Sequence, residues 1–165
     1  MKRLALILVF IISGCSVGYK KTPENITWTT WNEGNGQVIV RLPNADPTSF
    51  IAIDESYGKD RFRVYFEGKE IEGADPETFQ TIRWYFSKDS RAAYYREKEI
   101  VGASVSHFTP VGSGGYSKDH NGVFYQVLKV EGADQTTFEA KSFWGKDKNN
   151  CYFTSKKSEC RQHAN

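Results

Sequence analysis

No catalytic signature occurs anywhere in this chain. Its 165 residues include only three histidines, and His107, His120 and His163 fall at unrelated places. There is no Gly-x-Ser-x-Gly and no His-Glu-x-x-His, so neither the serine-hydrolase elbow nor the zinc-peptidase helix is present. The glycine-rich stretch Val111-Gly112-Ser113-Gly114-Gly115 is not followed by the Lys-Ser/Thr of a phosphate loop, and it reads as a flexible insertion loop. Basic residues never gather beyond the pairs Lys20-Lys21 and Lys156-Lys157, which argues against the basic patch of a nucleic-acid binder. The long apolar runs of a membrane span are missing too. Leu4 to Ile12 falls short of the roughly 20 residues needed to cross a bilayer as a helix.

What the chain does have is repetition. Tyr57-Gly58-Lys59-Asp60, Phe86-Ser87-Lys88-Asp89, Tyr116-Ser117-Lys118-Asp119 and Trp144-Gly145-Lys146-Asp147 share the pattern aromatic, small, lysine, aspartate, with the aspartates 29, 30 and 28 residues apart. Four residues after each aspartate stands a small residue followed by two aromatics: Val64-Tyr65-Phe66, Ala93-Tyr94-Tyr95, Val123-Phe124-Tyr125 and Cys151-Tyr152-Phe153. The first three copies continue with Gly-Ala at 73, 102 and 132 and a phenylalanine at 79, 108 and 138. A partial earlier copy, Asn44-Ala45-Asp46-Pro47-Thr48-Ser49-Phe50, lies 29 residues before its match at 73 to 79. Constant offsets within copies and variable lengths between them are the mark of structural units joined by tolerant loops.

Before the array lies a leader. Lys2 and Arg3 precede the apolar run, which ends in Ile12-Ser13-Gly14-Cys15, the layout of a secretory signal. These four residues resemble a bacterial lipobox. The resemblance implies a signal peptide over residues 1–14, lipidation of Cys15 as the first mature residue and, with Ser16 behind it, sorting to the outer membrane facing the periplasm. Without Lys2 and Arg3 the chain carries 20 basic and 20 acidic residues, so its basic pI has no bearing on a partner. Residues 15–30 read as the lipidated cysteine and a polar tether, whose flexible part reaches on the order of 20 Å. The Asn25-Ile26-Thr27 sequon within it is read as accidental.

Residues 31–165 are expected to form one repeat domain, with the partial copy running to 56 and full copies at 57–85, 86–115, 116–142 and 143–160. Aromatics make up 15% of the chain, which suits sheets. In each copy the aspartate should hold a turn by bonding the backbone two residues on. The strand after it is apolar on both faces and should be buried on both. Glu67-Gly68 reads as a two-residue hairpin. Asp75-Pro76-Glu77-Thr78-Phe79 has the cap, first-position proline and early glutamate of a helix start, with Ser104 and Asp134 at the matching positions. The expected fold is therefore β-rich α+β: mainly β, with a short helix in every unit, stacked into one domain.

The last copy lacks the Gly-Ala and the phenylalanine and carries Cys151 and Cys160. A hairpin centred on Ser155-Lys156 would oppose them directly, close enough for a disulfide stapling the terminal unit. The rival is a metal pair completed by His163. Calcium at the repeated turns of Asp60, Asp89, Asp119 and Asp147 is a further alternative, weakened by the lysine beside each aspartate.

The string Asp147-Lys148-Asn149-Asn150-Cys151-Tyr152-Phe153, with Gly73 to Phe79 as a second signature, resembles the DKNYY family of bacterial repeat proteins, many of them lipoproteins. The other copies keep the aspartate and the aromatics but lose the lysine after the aspartate. The resemblance implies an architecture and a location, not a reaction. The expected function is that of a membrane-anchored, non-enzymatic protein-binding module without cofactor, one version being an immunity protein against an envelope-acting toxin. The alternative is a structural envelope protein binding peptidoglycan or the outer membrane, and the third reading is a hydrolase.

Overall fold

The computed structural model describes residues 17–83 and 85–160. The leader, Cys15 and His163 lie outside them. Five small antiparallel sheets follow one another along the chain, each a meander of sequential strands. The first contains β1 (Gly18–Lys21), β2 (Ile26–Asn32) and β3 (Gly36–Arg41). The second contains β4 (Ile51–Ala52), β5 (Tyr57–Lys59), β6 (Val64–Phe66) and β7 (Lys69–Glu70), and the third β8 (Gln80–Arg83), β9 (Phe86–Lys88), β10 (Ala93–Tyr95) and β11 (Lys98–Glu99). The fourth has β12 (Thr109–Val111), β13 (Tyr116–Asp119), β14 (Gly122–Tyr125) and β15 (Leu128–Lys129). The fifth has β16 (Glu139–Lys141), β17 (Trp144–Lys146), β18 (Cys151–Phe153) and β19 (Lys156–Ser158).

No helix occurs among the described residues, so the expected short helices, and with them the α+β class, are wrong. The helix-start signals of Asp75 to Phe79 are used, but in a single turn. Asp75 Oδ1 accepts the Glu77 amide (3.0 Å) and Oδ2 the Thr78 hydroxyl (2.8 Å), after which Phe79 dives into the core and β8 starts at Gln80. A cap needs further turns behind it to repay nucleation, and here the strand begins at once. Asp46, Ser104 and Asp134 close the same turn.

The expected polar tether is folded over most of its described length. Residues 18–30 form β1 and most of β2, and they are a disguised first unit. Tyr19, Lys21 and Thr22 take the places of the aromatic, the lysine and the aspartate; Thr22 N donates to Asn25 O at 2.9 Å, as Asp60 N does to Arg63 O at 2.9 Å. Ile26 and Trp28 fill the slots of Val64 and Phe66, and Leu42 N bonds Ile26 O as Ile71 N bonds Val64 O. The β2–β3 hairpin is longer than later ones, which stretches the spacing from Thr22 to Asp60 and hides the unit from a search at fixed period.

Each core lies between one sheet and the next. Tyr57, Val64 and Phe66 pack with Ile71, Ala74 and Phe79 and receive Tyr94 from the following sheet. Phe86 and Ala93 receive Phe124 in the same way, and Tyr116, Val123 and Tyr125 receive Tyr152. The central residue of each third-row strand thus points back and its two neighbours point forward, so β6 and β14 are buried on both faces. The first aromatic opposes the last across the ladder (Tyr57↔Phe66, Phe86↔Tyr95, Tyr116↔Tyr125, Trp144↔Phe153), with ring centroids 4.7–5.0 Å apart. Each fully buried ring of the first three pairs contributes roughly 2–3 kcal/mol, and the edge-on geometry of those pairs adds about 1 kcal/mol.

Glu67-Gly68 forms the two-residue hairpin, with both residues at positive φ (47° and 79°). The glycine-rich loop is not a loose insertion. A Cβ on Gly112 would overlap the backbone of Ala140, and one on Gly114 the backbone of Ser142, so two glycines let the fourth unit lie directly on β16.

Candidate functional site

The carboxylate oxygens of the repeated aspartates are all engaged within the array. Asp89 Oδ1 accepts the amides of Arg91 (2.7 Å) and Ala92 (2.8 Å). Its Oδ2 accepts the amide of Asp75, fourteen residues upstream (2.8 Å), and the Tyr94 hydroxyl (2.9 Å). Asp60 repeats this with Phe62 and Arg63, then Asp46 and Tyr65. Asp147 repeats it with Asn149 and Asn150, then Asp134 and Tyr152. Asp119 binds Asn121, Gly122 and the Ser104 amide; Phe124 stands where the tyrosine would be and offers no hydroxyl. One oxygen closes the local turn and the other latches it to the preceding unit. The sequence showed the first half, since an aspartate's bond two residues on is local. It did not show the second, whose donor lies in the previous turn.

The lysine of the first three motifs reaches the other way. Lys59 Nζ donates to Pro76 O (2.7 Å), Lys88 to Val105 O (3.3 Å) and Lys118 to Phe138 O (3.2 Å). In the first unit Lys21 donates to Phe50 O (3.1 Å). Beside the latch, Arg63, Arg91 and Asn121 donate to the carbonyls of Asn44, Gly73 and Gly102 in the preceding turn.

Electrostatics match the geometry. Burial alone would raise the Asp89 carboxyl, but the amides of Asp75, Ala92 and Arg91 and the Tyr94 hydroxyl outweigh it and hold the group below the usual carboxylate range. The same balance brings Asp147 to about 2. Burial first, then the hydrogen bond to Asp147, pushes the Tyr152 hydroxyl up to about 12, and Tyr65 and Tyr94 shift the same way. Such carboxylates stay ionised and such phenols stay protonated at neutral pH, so neither suits general acid–base exchange. With three or four donors already on each carboxylate, the calcium reading has no ligand oxygen facing outward.

The remaining candidates do not converge. His107 Nδ1 lies 2.8 Å from Ser106 Oγ on the surface, and His120 is exposed in a different turn. Cys151 and Cys160 form a disulfide, which removes both thiols from any metal pair. Its register differs from the expected one. The turn is Thr154-Ser155, so Phe153 faces Lys156 and Cys151 faces Ser158, and the bond reaches two residues past the opposed position. Among the described residues no three His, Cys, Asp or Glu gather as metal ligands.

Of the concave surfaces among the described residues, two bear on binding. A groove of about 420 Å³ crosses several units along their hairpin tips, lined by Trp28, Val40, Phe66, Tyr95, Arg96 and Gln126 among others. Arg96 lies 5.2 Å from the centroids of both Phe66 and Tyr85 and pairs with Glu67 at 3.1 Å. The other is the outer face of the fifth sheet. No curated protein and no solved structure matches the chain. The sequence model of the DKNYY family matches residues 25–156, the span holding the aspartate latches, the paired rings and all but the first turns of the array: the chain belongs to the DKNYY family.

Proposed function

We propose that this protein is a lipid-anchored component of the bacterial envelope that holds a protein partner on the exposed surface of its stacked sheets, without a reaction of its own. The observation that carries the reading is the latch. Every repeated aspartate, and before the fifth sheet the repeated lysines and aromatics as well, is engaged in joining units, and what the array offers outward is extended surface rather than an enclosed acid–base site. Anchorage through Cys15 follows from the lipobox-like Ile12-Ser13-Gly14-Cys15, and the Cys151–Cys160 disulfide suits an oxidising compartment. In its concrete version the partner is an envelope-acting toxin and the protein neutralises it.

The test is cross-linking of the full-length chain in intact cells, followed by purification and identification of what is attached. A stoichiometric protein that withstands moderate salt is the expected result, and toxicity of that protein alone would establish the immunity version. Recovery of no protein, with the chain sedimenting with cell-wall sacculi, would replace this reading with the structural one.

A further inference from the structure

The two ends of the array differ at the positions that would meet a further unit. In the first unit the groups that elsewhere reach backward are gone: Thr22 replaces the latch aspartate and Thr27 the inserted ring. In the last unit the groups that elsewhere reach forward persist. Trp144 and Phe153 form the same opposed pair as in the interior, at 4.7 Å, and Lys146 keeps the lysine position. Where Tyr57, Phe86 and Tyr116 are buried, Trp144 is half-buried and Phe153 is 45% exposed.

A cleft of about 390 Å³ opens on this face, lined by Glu139, Lys141, Trp144, Lys146 and Cys151. The interior interfaces indicate what such a face receives: a strand-borne aromatic ring set against the pair, with a turn oxygen for the lysine. Among the described residues Lys146 meets no such oxygen, and it pairs with the exposed Glu139 at 3.4 Å. The face is also basic. Lys141 lies opposite Trp144 and Lys156 opposite Phe153, positions that the third sheet likewise fills with bases, Arg83 opposite Phe86 and Lys98 opposite Tyr95. Three lysines therefore surround the rings, against one glutamate.

We infer that the outer face of the fifth sheet docks a segment of a partner protein that presents one aromatic ring from a β-strand with carboxylates on either side. The inference rests on the reading as a protein-binding module and names the surface and the chemistry of the partner. A second copy docked through the same face would set lysine against lysine. Residues 161–165, Arg161 to Asn165, contain no phenylalanine, tyrosine or tryptophan and no acidic side chain, so they do not match the occupant either.

A backbone-cyclised hairpin peptide with one tyrosine in mid-strand and a glutamate on each side serves as probe, titrated calorimetrically into the mature protein. Binding is expected to weaken at least tenfold in Phe153→Ser and in Lys146→Glu, while Lys20→Glu, exposed on the first sheet, binds as the parent does. Replacing the peptide's tyrosine by alanine, or its glutamates by lysines, should abolish binding. Absence of binding to the parent, or equal binding by the two face variants, overturns the inference and makes the face a solubilising cap. Face-dependent capture by phosphatidylglycerol vesicles with no binding of the peptide would overturn it in favour of a lipid surface. Cross-linking in cells separates the two levels: a partner retained undiminished by Phe153→Ser defeats this inference alone, whereas no partner for the parent chain defeats the broader reading.

Discussion

The first and last units end the same array by different means. In the first described unit the aspartate slot is held by Thr22, whose hydroxyl closes only the local turn with Asn25 (3.0 Å). The last described unit has a complete backward latch through Asp147, and a covalent bond stands where Ile71 packs on Val64 in the second unit. The aspartate thus serves the joint to a preceding unit, and the Gly-Ala-Phe turn the joint to a following one.

The contrast is most easily broken at an interior latch. Asp89→Ala would strand three amides and the Tyr94 hydroxyl in a buried setting (Asp89 is 4% exposed) and should cost about 3–5 kcal/mol, read as a shifted denaturation midpoint. Thr22→Ala, the same slot at the exposed end, is the counterpart to compare with it. Cys160→Ser acts on the other end. A closed loop with a sequence separation of 9 is worth about 2–3 kcal/mol, and the loss should appear as amide exchange confined to the fifth sheet, with the first sheet unchanged.

Between the ends, Gly114→Ala should cost about 1–3 kcal/mol by forcing the loop off Ser142. Gly73→Ala, at φ 76° with nothing within 4 Å of the added Cβ, should cost only about 1 kcal/mol of backbone strain. Thermal unfolding of the two variants side by side separates close approach from φ. Thr22→Ala should lose the least, about 0.5–1 kcal/mol; a loss equal to that of Asp89→Ala would refute the distinction between ends and interior. Acid sharpens the same point. Asp147 is depressed to about 2 in the folded chain, so its contribution is complete above the unfolded value near 4 and is lost as pH falls toward 2. The latched fifth sheet should loosen through that window, whereas the Thr22 turn, having no carboxylate, should not.

Much of this was legible in the sequence. The buried strands after each aspartate, the Glu67-Gly68 hairpin and the cysteine pairing all follow from residue type at fixed offset, which is local information. Three features were not. Residues 18–30 escaped because the aspartate that marks a unit is dispensable at the first position and the longer β2–β3 hairpin breaks the period. The helix was wrongly expected because Asp75 and Pro76 report that a turn starts but not how soon Phe79 must enter a core. The packing of Gly112 and Gly114 was missed because a glycine-rich stretch reads as freedom until the backbone it touches is known. At the site itself, the local turn was readable from each aspartate and the tie to the previous unit was not.

Each latch also has a direction in time. The aspartate's distant partner is always an amide about fourteen residues nearer the N-terminus, so every ingredient of a latch has been made by the time its tyrosine is added. A chain emerging N-terminus first would close its interfaces in order, never waiting for a distant strand, and would expose at most about one unfinished unit to its surroundings. Proteolysis of stalled chains of increasing length should show protection advancing in steps of one unit.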